Sequence, residues 1–162
     1  MKLLISRALP ERNMAAAAAR FDMDLRETDA PMTMQDCIAA LAEYDVILPT
    51  LGDAFGAEVF AASPSPRCKL LANFGVGYNH IDVTAAKAAG VAVTNTPGAV
   101  TDATADIAMT LILMTARRAG EGERRVRAGA WGGWAPTQML GLHFSGKTVA
   151  IMAPNLPEYC AV

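Results

Sequence analysis

Over residues 1 to 98, short aliphatic runs alternate with alanine-rich stretches whose apolar positions recur at helical spacing. That exchange of a two-residue for a 3.6-residue period predicts βα units around a parallel sheet. Lys2 to Ser6 reads as a strand, Pro10 to Arg20 as a helix with proline tolerated in its first turn, and Asp22 to Glu27 as a second strand. Thr33 to Tyr44 carries Met34, Cys37, Ile38 and Leu41 on one helical stripe. Asp45 to Pro49 is a buried strand closed by proline, and a helix around Ala54 to Ala61 ends in the Ser63-Pro64-Ser65-Pro66 punctuation. Lys69 to Asn73 is the next strand. A glycine-rich turn then leads to a helix from Asp82 to Ala89, stopped by Gly90, and to the strand Val91 to Thr94.

The pattern changes at Thr101. One long helix is predicted from there to Arg127, with Ile107, Leu111 and Met114 on one stripe, a rod of about 40 Å at 1.5 Å per residue. Such a rod usually connects two bodies. Residues 129 to 136 then form a Gly- and Trp-rich loop, and Lys147 to Met152 reads as the start of a new strand. Pro154 and Pro157 forbid an ordinary βα turn after it. There is no internal repeat beyond the βα alternation.

Composition narrows the picture. The 162 residues are 52% hydrophobic and 19% charged, a globular profile. A net charge of −2 supplies no positive field for phosphate backbones or anionic membrane surfaces, so nucleic acid and membrane are not expected as partners. Cys37, Cys68 and Cys160 are widely spaced, with no C-x-x-C pair and no histidine cluster, so reduced thiols are expected and no metal site. The apolar run at the N-terminus is interrupted by Arg7 and Pro10 before a signal peptide could form. The stretch Ile107 to Ala116 is roughly half of a bilayer span. A cytoplasmic protein is the expectation.

The sharpest local feature is Gly75-Val76-Gly77 at a strand's C-terminal end, where glycines let backbone amides approach an anion. Tight-turn geometry alone explains a G-x-G equally well, and it is the longer string that decides. Leu70 to Asp82 (LLANFGVGYNHID) with Gly90 to Gly98 (GVAVTNTPG) resembles the D-2-hydroxyacid dehydrogenases. The likeness continues through Thr101 to Asp106, Arg117-Arg118, Gly129-Ala130-Trp131, Trp134 and Phe144 to Ile151, and is nearest to the glyoxylate/hydroxypyruvate reductase branch.

The resemblance implies a flavodoxin-like substrate-binding domain followed by a Rossmann domain that binds NAD or NADP. Val76 and Gly77 match the loop whose amides hold the substrate carboxylate. Thr101 and Thr104 match positions lining the nicotinamide side of the cleft, with helix capping as the competing role. Asp106 stands where the family commonly has glutamate. Trp134 matches an aromatic residue that reaches towards a partner subunit's active site, implying a homodimer; an ordinary surface or core tryptophan is the alternative. In the family, hydride comes from the nicotinamide and a histidine supplies the proton.

Other features are read as structural. His80 and His143 do not match the family's catalytic histidine, and no catalytic residue is assigned. Ser145-Gly146-Lys147-Thr148 lacks the upstream glycine of a P-loop. Glu121 with Arg125 and Glu123 with Arg127 are i,i+4 pairs on a solvated helix end. After Ile151 no G-x-G-x-x-G turn follows, and residues 152 to 162 look unrelated to what precedes them, as a shifted reading frame, an early stop or a deliberate shortening would produce.

The expected organisation is a flavodoxin-like domain over 1–98, a connecting helix over 99–128, a loop and first strand of an incomplete dinucleotide-binding domain over 129–151, and the tail 152–162. The expected activity is NAD(P)H-dependent reduction of a small 2-keto acid such as glyoxylate or hydroxypyruvate, with this chain inactive alone and not binding cofactor appreciably. The rival is a non-catalytic dimerisation module derived from that family. A phosphoacceptor receiver domain shares the βα pattern but needs acidic residues where Ser6 and Arg7 stand.

Overall fold

The five strands expected from the alternating pattern all form and all run parallel, in a computed structural model that describes residues 1–150. The chain divides into a unit spanning Met1–Ala99 and another beginning at Val100. In the first unit the order is β1 (Lys2–Ile5), α1 (Glu11–Ala18), β2 (Asp22–Leu25), α2 (Met34–Glu43), β3 (Val46–Leu48), α3 (Ala57–Ala61), β4 (Leu70–Ala72), α4 (Val83–Ala88) and β5 (Ala92–Thr94). Across the sheet the strands lie in the order β2-β1-β3-β4-β5, the flavodoxin-like arrangement.

Register places one apolar row across the sheet: Leu4 beside Ile47, Ile47 beside Leu71, and Leu71 beside Val93. Helices α2, α3 and α4 close over this row with Cys37, Leu41, Val59, Phe60 and Ala86. Leu3 and Ile5, pointing to the opposite face by the strand's two-residue period, are buried as well. The helix signals have visible causes. Thr33 and Asp36 form a reciprocal capping box at the start of α2. The Asp82 carboxylate caps α4 by accepting from the Ala85 amide at 2.8 Å. Gly90, at φ 75°, ends α4 as expected, with Val91 N–H reaching back to Ala86 O and Gly90 N–H to Lys87 O. Cys37 and Cys68 are free and buried, and burial pushes the Cys37 thiol up to about 12, reinforced by the Asp53 and Asp36 carboxylates.

The crest formed by the strands' C-terminal ends is tied together by Asp53, which is fully buried. Its Oδ2 accepts from Arg7 Nη1 (3.1 Å) and the Thr50 amide (2.9 Å), and its Oδ1 accepts from the Met32 amide (3.0 Å). Burial alone would raise this carboxyl. The Ser6 hydroxyl beside it, the two amides and the guanidinium outweigh burial and hold it below its ordinary 3.8.

In the second unit the sequence expectation is corrected twice. The single helix over 101–127 is two helices, α5 (Thr101–Ala116) and α6 (Ala119–Arg127). Arg118 adopts φ 55°, a left-handed conformation that an α-helix cannot continue through. The broken end of α5 has another partner: Leu142 N–H donates to Ala116 O (2.7 Å) and Arg118 Nη1 donates to Leu140 O (3.1 Å). Glu123 pairs with Arg127 as its spacing predicts, whereas Glu121 pairs with Arg118 across the break (2.7 Å). Secondly, residues 147–150 form no strand, because no ladder partner stands beside them among the described residues. Residues 151 and 152 of that expected strand, and the tail 152–162, lie outside the described residues. Among the described residues no helix is long and apolar enough to cross a membrane.

Removing the Asp53 carboxylate leaves Arg7 and two amides without their acceptor, so Asp53→Ala is expected to destabilise the chain by roughly 3 kcal/mol. Because its folded value is depressed, Asp53 stabilises the fold above pH 3.8 and loses that contribution as pH falls towards the folded value. Urea midpoints at pH 7 and pH 3 check both: the drop on acidification should be smaller in Asp53→Asn than in the native chain.

Candidate functional site

The loop between β4 and α4 is anchored at both ends by the segment that carries Asp53. Thr50 bridges to Phe74, and Phe55 bridges to Ile81, with Phe55 N–H donating to His80 O (2.8 Å) and Asp82 N–H to Phe55 O (2.9 Å). Between these anchors the carbonyls of Gly75, Val76 and Gly77 are taken by donors of the protein. Gly75 O accepts from Asn73 Nδ2 (3.1 Å) and the Thr96 amide (3.1 Å), Val76 O from Asn95 Nδ2 (2.9 Å), and Gly77 O from Asn73 Nδ2 (2.9 Å). By contrast, the amides of Val76 and Gly77 donate to no acceptor among the described residues. Both residues are partly exposed, so a ligand can reach them.

The two glycines serve different purposes. Gly75 sits at φ 149°, a conformation that side chains rarely adopt, with Leu51 Cδ2 3.4 Å from where a Cβ would stand. Gly77 has no such φ, and a Cβ there would meet nothing within 4 Å. Nothing in the fold demands glycine at position 77. A bare backbone at that point suits a ligand that must come close to the amide.

Alongside the loop, Tyr78, Val83, Val93, Thr94 and Asn95 line a hollow of about 250 Å³. A roomier concavity of about 690 Å³ lies in the second unit, lined by Leu111, Ile112, Leu142, His143 and Phe144. Its walls are mostly apolar, with Thr115, Lys147 and Thr148 also among them.

His80 has a structural place. Its Nε2 lies 3.0 Å from Asn73 Oδ1, and burial, opposed by the Asp53 carboxylate, lowers it below the usual histidine value. Neither Asn73 nor Asn95 stands out in the sequence; an amide side chain directly after each of two strands was the available signal. Thr101 and Thr104 lie on the first turn of α5, and neither caps it, since the N-cap is Val100 and no side chain bonds there. Trp134 is 83% exposed in the irregular segment after α6. Val76 and Gly77 belong to the first unit and Thr101, Thr104 and Trp134 to the second.

The chain is similar to known proteins over most of its length. The chain is 38% identical over 152 residues to glyoxylate reductase of Korarchaeum cryptofilum and 39% identical over 150 residues to glycerate dehydrogenase of Hyphomicrobium methylovorum. Each alignment takes in 93% of this chain, which spans 45% and 46% of those relatives' lengths. A crystal structure of an NADPH-dependent glyoxylate/hydroxypyruvate reductase from Sinorhizobium meliloti, in complex with NADP and malonate, superposes with a TM-score of 0.69 at 29% identity, covering 91% of this chain and 44% of that one. Residues 3–154 match the model for the D-isomer specific 2-hydroxyacid dehydrogenase catalytic domain. With the parallel sheet, the glycine loop and nearly the whole described chain inside that match, this chain belongs to the D-isomer specific 2-hydroxyacid dehydrogenase family.

Proposed function

We propose that this chain supplies the substrate-holding part of an NAD(P)H-dependent reduction of a small 2-keto acid, with glyoxylate or hydroxypyruvate as substrate. The observation that carries this reading is the pair of unspent amides at Val76 and Gly77, set beside carbonyls that already have donors. Two N–H donors suit a carboxylate and require no charged side chain. Residues 1–98 serve as the substrate-binding domain, and Trp134 limits substrate size from a partner subunit. The family acts on small 2-keto and 2-hydroxy acids and is NAD(P)-dependent.

The dinucleotide itself does not fit the described residues. No strand leads through a glycine turn into a helix after α6, so the pyrophosphate has neither close backbone amides nor a helix N-terminus. The uncapped hydroxyls of Thr101 and Thr104 remain as contacts for the nicotinamide end. The reading therefore places carboxylate binding in this chain and leaves hydride transfer to groups that its described residues do not supply.

A second reading, self-association, is favoured by α5. Ile107, Leu111 and Met114 are 61%, 58% and 43% exposed, more apolar surface than a solvated helix normally shows. It is compatible with the first, since family resemblance implies a homodimer.

Titration of the isotope-labelled chain with glyoxylate should shift the Val76 and Gly77 amides, with a Kd in the millimolar range or weaker because no charged side chain completes the clamp. Gly77→Ala should abolish those shifts while changing stability by less than about 0.5 kcal/mol, whereas Gly75→Ala should cost about 1–3 kcal/mol. Shifts confined to other loops would remove the site. Fluorescence titration with NADH or NADPH should be flat up to about millimolar cofactor, and a saturable signal would contradict the missing pyrophosphate seat. Sedimentation should show concentration-dependent association, and a monomer at every concentration up to near-millimolar would count against the second reading.

A further inference from the structure

We propose that Asn73 and His80 are positioning residues that preset the loop for a carboxylate, the carboxamide holding the Gly75 and Gly77 carbonyls and the imidazole holding the carboxamide by its oxygen. This rests on the carboxylate reading above.

A carboxamide has two donors on one side and one acceptor on the other. Asn73 sends its Nδ2 donors to Gly75 O at 3.1 Å and Gly77 O at 2.9 Å, and it is only 2% exposed, so water cannot stand in for either bond. Were the carboxamide turned over, Oδ1 would face two carbonyl oxygens and three sets of lone pairs would repel. The two carbonyls thereby turn Oδ1 towards His80. Oδ1 can only accept, so the imidazole nitrogen 3.0 Å from it must carry the hydrogen, and the neutral ring is the Nε2–H tautomer.

The consequence falls on the amides. Consecutive peptide groups cannot turn independently, because each carbonyl is rigidly joined to the next residue's N–H. Holding Gly75 O fixes the plane that contains the Val76 amide. Asn95, on Val76 O, does the same for the Gly77 amide, and Asn73, on Gly77 O, stops the far side of Gly77 from rotating. The loop thus enters binding with its donors already placed, and a ligand need not spend affinity on ordering it. The anchoring continues outward: the His80 carbonyl is held by the Phe55 amide at 2.8 Å, so the residue that holds Asn73 is itself fixed to the Asp53 segment.

The test compares the native chain with His80→Leu and His80→Gln, the glutamine Nε2 standing as many bonds from Cβ as the imidazole Nε2. In His80→Leu, the ligand-free amide resonances of residues 75 to 77 should move and glyoxylate binding should weaken about five- to tenfold, the loss of one buried hydrogen bond. His80→Gln should restore both towards native values. A general loss of packing would not be rescued by glutamine, so a glutamine variant as poor as leucine overturns the proposal. So does a folded His80→Leu that binds as the native chain does with its loop resonances unmoved. Should His80→Leu not fold, long-range nitrogen–proton spectra of the native chain decide: a protonated Nε2 supports the relay, and a bare Nε2 overturns it. If glyoxylate leaves Val76 and Gly77 unshifted in the native chain, the carboxylate reading fails, a result distinct from a native chain that binds and a leucine variant that binds equally.

Discussion

Asp53 is a charge held out of water, and it stays ionised because three separate segments bring donors to it. Arg7 follows β1, Met32 precedes α2, and Thr50 follows β3, so one carboxylate fixes the relative heights of the loops along the sheet's crest. The same segment then bridges to Phe74 and Ile81, on either side of the glycine loop. A buried ion pair of this kind contributes little net stability compared with an apolar substitute, but losing one partner is costly, which makes it a strong constraint on geometry. The positions of Val76 and Gly77 are set by this chain of contacts more than by their own conformational preferences.

Much of the first unit is legible in the sequence because its rules are local. Lys2 to Ile5 and Val46 to Leu48 are short apolar runs with turn residues at their ends, and Thr33, Asp82 and Gly90 mark helix ends by chemistry that acts within one turn. The glycine loop is legible as a motif, but its workings are not. That Asn73 reaches Gly77 and meets His80 depends on how the backbone doubles back over seven residues. No periodicity encodes this.

The second unit defeats local reading for a related reason. From Thr101 to Arg127 there is no proline, and Gly120 and Gly122 are tolerable in a helix, so nothing nearby announces a break at Arg118. The break coincides with docking of Leu140 to Leu142 onto the end of α5, a contact between residues more than twenty positions apart. Likewise Lys147 to Ala150 has the composition of a strand, yet composition supplies only half of one. The neighbour that would complete its ladder is not among the described residues.

The strand order has a consequence for how the first unit is made. β1 lies between β2 and β3, and each later strand adds beside the one synthesised before it, β4 on β3 and β5 on β4. The sheet can therefore grow outward in the order of translation, with no strand waiting for a distant partner. Of the two edges of the finished sheet, β2 carries Asp22 and Asp24, charges that discourage an incoming strand. Val46, Ile47 and Leu48 of β3 carry none. Until Leu70 to Ala72 leave the ribosome, this uncharged apolar edge is unpaired, and that interval is when a nascent chain is most open to pairing with the same strand of its neighbour.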